Sequence, residues 1–231
     1  MIEQTKALTL SSVRFQESSL IVHIYTERFG RRDYIIKGAF SKKSNKASFY
    51  QPLNLLELQV YEQPNKNLQM IKEVRVDYPL LSFRIQPKKS MILTFLTEFL
   101  EKVLKDDEIG NPELFQFLTE SLLSLDAMNE NFNCFTLQFM IRMSHFLGIG
   151  IHDGKMLLEE TEVTAHVDPA LVQVIDQLIE KDYHEAPSFN LHTRRIVMDK
   201  ILSFYELQIQ SFGKMKTLEV LRNVGNPFKK H

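Results

Sequence analysis

The chain of 231 residues holds a single cysteine, Cys134. One thiol excludes an internal disulfide and any zinc site built from several cysteines, and it suits a reducing compartment. No apolar run approaches the roughly 20 residues that cross a bilayer. The opening "MIEQTKALTL" lacks the basic start and long apolar stretch of a secretory signal. A cytoplasmic protein with no membrane partner is therefore expected. Glycine-rich phosphate loops of either common type are missing, as are internal repeats. The seven histidines are scattered. His152–Asp153 beside Gly154 reads as a polar turn, and the acidic pairs Asp106–Asp107 and Glu159–Glu160 fall in helix ends or loops. Cys134 lies among Phe132, Phe135 and Phe139, the setting of a buried thiol and not of a nucleophile. No catalytic residue, metal or cofactor is expected.

What is present is a core and an uneven charge. Hydrophobic residues make up 44% and charged residues 25%, ample for packed globular structure. The net charge of −1 conceals a split: residues 1–80 carry 12 Lys+Arg against 8 Asp+Glu, and the remainder is acidic. Arg28, Arg31, Arg32, Lys37, Lys42, Lys43 and Lys46 crowd into one stretch with a single acid, Asp33, so these charges read as locally unneutralised. Tyr34, Phe40, Phe49 and Tyr50 are interleaved with them. Cations attract phosphates with release of counterions, and exposed rings stack on unpaired bases. A solvated loop is the plainer reading of such a run; composition and spacing leave both open. Tyr34 and Phe40 are either stacking or core residues, since strand alternation must send some side chains inward.

Hydrophobic alternation marks strands in Thr5–Phe15, Leu20–Gly30, Asp33–Phe40, Leu53–Glu62 and Leu68–Tyr78, with "PNKN" as a hairpin turn. Five short strands without a long helix suit a small closed barrel. Beyond Pro79–Pro87 the spacing becomes helical. Helices are expected over Lys88–Glu108, from Asn111–Pro112, up to Gly148, from Asp168–Pro169, over Leu191–Gly213, and over Met215–Val224. The expected fold class is α+β in two domains: a small OB-type β-barrel over 1–80, then an all-α bundle over 81–231. An OB barrel binds oligonucleotides on its strand face and flanking loops.

The stretch "ESSLIVHIYTERFGRRDYIIKGAFSKKS", followed by "YQPLNLLELQVYEQPNKNLQMIKEVRV", resembles the N-terminal signature of the RecO recombination mediators. Weaker likeness continues through "FLTEFLEKVLKDDEIGNPELFQFL" and "LGI", so the resemblance covers nearly the whole chain. It implies an OB barrel, a helical bundle and commonly a zinc element beside the bundle. It also implies a bacterial, nucleoid-associated protein of DNA repair that binds single- and double-stranded DNA and anneals complementary strands. Such proteins help to load recombinase onto coated strands, with RecR and the C-terminal tail of single-stranded DNA-binding protein as partners. Many members of the family carry two Cys-x-x-Cys pairs after "LG"; residues Leu147–Gln173 contain no cysteine, so a shortened loop over about 148–168 is expected in place of the zinc element. The resemblance assigns phosphate contact to Arg28, Arg31, Arg32, Lys37, Lys42, Lys43 and Lys46, with Arg14 and Lys72 as weaker additions and Tyr34 and Phe40 as candidate rings. Gly30 and Gly38 serve turn geometry. Arg142, Arg194 and Arg195 are the candidates for the partner tail. An RNA-binding barrel or a protein-interaction adaptor is the alternative reading.

Overall fold

The structure is a computed structural model that describes residues 1–41, 45–63, 66–161 and 167–218. Lys42 and Lys43, half of the "PNKN" turn, and all but the first four residues of the expected Met215–Val224 helix lie outside them. Five strands form a closed barrel in the order β1-β2-β3-β5-β4: β1 Ile2–Phe15, β2 Ser19–Thr26, β3 Gly30–Ile36, β4 Leu55–Tyr61 and β5 Leu68–Tyr78. Every pairing is antiparallel except β3 with β5, where Asp33–Ile35 run parallel to Leu68–Met70. Alternate side chains face inward. Leu20, Val22 and Ile24 of β2, Tyr34 and Ile36 of β3, and Leu56, Leu58 and Val60 of β4 fill the interior. Each fully buried aliphatic side chain contributes about 1.5–3 kcal/mol.

Seven α-helices follow among the described residues: α1 Ser82–Ile85, α2 Pro87–Val103, α3 Pro112–Ala127, α4 Phe135–Phe146, α5 Gly154–Thr161, α6 Pro169–Glu180 and α7 Leu191–Gln208. Asn111, Asp168 and Asn190 accept hydrogen bonds from the backbone N–H of Leu114, Ala170 and Thr193, the caps that start α3, α6 and α7. The fold class is the expected one, a barrel followed by helices. Two helices were not expected: α1, a single turn ahead of α2, and α5, which occupies a segment expected to be loop. The two buried leucines of α5, Leu157 and Leu158, are too few to show as a periodic signal. None of the described helices is long and apolar enough to cross a membrane.

The chain divides into two compact units, Met1–Leu122 and Leu123–His231, later than the change of sequence pattern near residue 80. The cause is visible in the first unit. α2 packs against β1 and turns Ile92, Phe95, Leu96, Phe99 and Leu100 inward. Leu8 and Leu10 of β1 are consequently as deeply buried as Ala7. The second unit has its own core, including Phe135, Phe139, Leu157, Ile175, Val197, Ile201 and Phe204. Within it the Tyr205 hydroxyl donates to the Met140 carbonyl at 2.8 Å.

Candidate nucleic-acid interface

The barrel has two ends, and the basic residues divide between them. β3 rises about 3.3 Å per residue, so Arg31 and Lys37 stand about 20 Å apart along the strand.

At the β2–β3 turn the arginines are held by distant carboxylates. Arg31 reaches Glu101 of α2 at 3.3 Å and Asp33 at 4.0 Å. Arg32 pairs with Glu62 at 3.3 Å and donates to the carbonyls of Arg31 and Glu108. Arg28 pairs with Glu3 at 2.8 Å, donates to the Gln4 carbonyl and lies over the Phe29 ring. The expectation of locally unneutralised charge therefore fails for these three. Apart from Asp33, their acids lie 25 to 70 residues away in sequence, beyond the reach of local counting. Arg31 and Arg32 are mostly buried, and their guanidinium groups fasten the barrel to the segment that follows it.

The fastening continues through polar partners. Ser11 donates to Glu101 at 2.5 Å, and His23 and Asp33, opposite each other on β2 and β3, are bonded at 2.5 Å. The hydrogen bond to Asp33 and that carboxylate's charge raise the His23 pKa against the opposing effect of burial. Burial works to raise Asp33, but His23 and Arg31 outweigh it and hold the carboxyl below its ordinary value. Tyr25 donates to Asp107 at 2.9 Å and stacks on Phe115. Gly30, at φ +65°, lies so near residues 107–109 that a Cβ would come 2.5 Å from the Asp107 carbonyl oxygen, which accepts from the Arg31 N–H. Gly110 is pressed in the same way onto the backbone of Glu27 and Arg28.

The opposite end is open. The β1–β2 turn and the loop after β3 meet where the Phe40 N–H donates to the Ser18 carbonyl at 3.2 Å. Arg14 lies 5.0 Å over the Phe40 ring, and Phe40 is 44% exposed. Phe15 and Val13 are exposed beside them. Lys37 is exposed and forms no ion pair among the described residues, and Gly38, at φ +67°, turns the chain as expected. Lys46 is exposed at the start of a 3₁₀ turn, Lys46–Tyr50. Lys72 is exposed on β5 near Gln59. This end collects cations and rings that face solvent, the pairing that suits a phosphate and a base.

Tyr34 is not among them. It is fully buried, and burial with the nearby Glu62 charge raises its pKa. A ring in the barrel interior cannot stack on a base, so Tyr34 leaves the set of candidate contacts. Tyr50 is also core, and Phe49 packs against it. Phe15 was missed by the sequence reading. Its signal was position: it ends β1 beyond the last residue paired with β4.

In the second unit Arg142 is engaged. It donates to the Lys181 carbonyl at 2.9 Å, pairs with Asp182 at 3.2 Å and stacks 4.3 Å over Tyr183. Arg194 and Arg195 lie near the start of α7, and Arg194 is near enough to Cys134 for its charge to act on the thiol. Burial nonetheless pushes that thiol up to about 11. It donates to the Pro187 carbonyl. The residues here do not fit the cysteine-bound zinc element that the resemblance implies: the one cysteine is buried and already bonded.

The family model for the N-terminal part of recombination protein O matches residues 1–79, and that for its C-terminal part matches residues 84–152. A protein of Azobacteroides pseudotrichonymphae named "DNA repair protein RecO" is 30% identical over 97% of this chain and 99% of its own length. Its namesake from Bacteroides fragilis is also 30% identical, with the same coverage. The one from Flavobacterium johnsoniae is 29% identical over 96% of this chain and 98% of itself.

Proposed function

The chain belongs to the RecO family of DNA repair proteins, and on that premise we propose that it is a recombination mediator that binds DNA without performing covalent chemistry. The observation that carries this reading is the open end of the barrel, where Arg14, Lys37 and Phe40 gather with Phe15. Cations there hold the phosphates of a single strand while the exposed rings receive its bases. Screening one strand's charge lowers its repulsion from the complement, which supports annealing; duplex DNA binds through the same cations. Lys42, Lys43 and Lys46 follow directly in sequence and extend the cationic run.

The contribution of Arg28, Arg31 and Arg32 is different in this reading. They hold the barrel to its neighbour and lend only their residual field to DNA. Arg194 and Arg195 receive the acidic tail of single-stranded DNA-binding protein, with Arg142 acting through Tyr183. RecR is the second protein partner, and recombinase loading on coated strands in the bacterial cytoplasm is the outcome.

The test is a titration of labelled single-stranded DNA at several salt concentrations, with RNA of the same sequence as competitor and with and without the acidic tail peptide. Tight binding that weakens steeply with salt is expected. A strong preference for RNA would point instead to an RNA-binding barrel. No binding at low ionic strength would leave a protein-interaction adaptor.

A further inference from the structure

The strand register carries one apolar row round the outside of the barrel. Ile2 of β1 lies opposite Tyr61 of β4, and Tyr61 opposite Met70 of β5. Met70 lies opposite Ile35 of β3, Ile35 opposite Ile21 of β2, and Ile21 opposite Val13 towards the other end of β1. Ile2, Tyr61, Met70 and Val13 are exposed, and Ile21 and Ile35 are half-buried. None of them fills the interior, which takes Val22, Tyr34 and Val60, their neighbours in sequence. The row ends beside Arg14 and Phe15, where the open end begins. Because β3 and β5 run parallel, Lys37 and Lys72, each two residues past the row, lie on the same side of it. The acid on the other side, Asp33, is held by His23 and Arg31.

We propose that this row is a track for unpaired bases and makes the barrel prefer single-stranded DNA to duplex. Bases lie along Val13, Ile21, Ile35, Met70 and Tyr61, and their phosphates face Lys37 and Lys72. This rests on the DNA-binding reading above and extends it from the open end round the barrel. Five steps between strands make the row about 24 Å long, and one side chain makes it about 7 Å wide. That is roughly 170 Å², against the ~800 Å² that each partner gives to a stable protein interface. A line of bases fits such a strip, and the cations along one side complement a phosphate chain. A free base presents its flat face to apolar side chains and to the Tyr61 ring, whatever its identity. In a duplex those faces are stacked on one another, so only the phosphate contacts remain.

The experiment uses the full chain and the triple variant Ile35→Thr/Met70→Thr/Tyr61→Thr. Threonine is β-branched and keeps the strand preference while removing most of the apolar contact. Fluorescence anisotropy compares a single strand, a duplex of the same sequence and an abasic single strand. The variant is expected to bind the single strand roughly tenfold more weakly or worse, the scale of one lost base contact. Its affinity for duplex and abasic strand, and the salt slopes, stay as in the wild type. Far-UV circular dichroism shows that it is folded; if it is not, Met70→Thr and Tyr61→Thr, both exposed positions, are measured singly. A wild-type chain that binds no DNA overturns the DNA-binding reading and this inference with it. A wild type that binds, beside a folded variant that holds single strands as tightly, overturns this inference alone. So does an equal loss for duplex. A wild-type dimer that the variant breaks, seen by sedimentation, would give the row to a second copy of the chain and overturn it too.

Discussion

Removing both Arg14 and Lys37 should change the salt dependence of DNA binding, while removing Arg31 and Arg32 should change stability. For single strands, log K falls with log salt by about 0.7 per phosphate neutralised. Loss of two contacts thus flattens the slope by about 1.4, and at about 0.1 M salt it weakens binding roughly 25-fold. Adding Phe40→Ala removes about 1–3 kcal/mol per stacked base, a further factor of about 5 to 150. The arginines at the other end already face Glu101, Asp33 and Glu62, so few counterions are released from them. Their removal leaves the carboxylates of Glu101 and Glu62, 23% and 12% exposed, without these partners. Each stranded group costs about 1–3 kcal/mol. Fluorescence anisotropy with a labelled oligonucleotide from about 50 to about 300 mM salt gives the slopes, and thermal melts give the stabilities. The reasoning fails if R14A/K37A binds as the wild type does. It fails equally if R31A/R32A flattens the slope by as much while melting normally.

Three further outcomes are expected. Gly110→Ala drives a Cβ into the backbone of Glu27 and Arg28, where nothing flexible can yield, and should cost about 1–3 kcal/mol or more in urea unfolding; an unchanged midpoint would contradict the packing. His23 has a raised pKa in the folded chain. Its contribution is therefore complete below the unfolded value of about 6.5 and disappears as pH rises through the folded value. The stability gap between wild type and His23→Gln should accordingly be wider near pH 5.5 than near pH 8.5 (approximate pH values chosen to bracket that titration), and a gap that ignores pH would remove the ion pair from the argument. The Cys134 thiol, buried and pushed up to about 11, should resist a disulfide reagent at neutral pH until the chain is unfolded; rapid labelling of the native protein would contradict its burial.

The barrel was legible because its interior is written in period two: Leu20, Val22 and Ile24, then Leu56, Leu58 and Val60, need only alternation to be found. The same parity separates the two rings that composition could not. Tyr34 shares the inward side of β3 with Ile36, whereas Phe40 comes after the Gly38 turn, outside the strand. The open end was only half legible, since Arg14 was read as a minor addition and Phe15 was passed over. The pairing of Arg31 with Glu101 and of Arg32 with Glu62 was not legible at all. Such contacts are fixed by how α2 and β4 are placed in space, and no local window contains both partners. α5 escaped for the opposite reason, being too short for its period to rise above a polar turn.

The burial of Leu8 and Leu10 beneath α2 has a practical consequence for anyone wishing to borrow the barrel as a portable part. A fragment cut after Tyr78 would keep all five strands yet lay bare a greasy stripe along the first of them. Such a fragment would clump before it could be assayed, and its silence toward DNA would say nothing about the intact molecule.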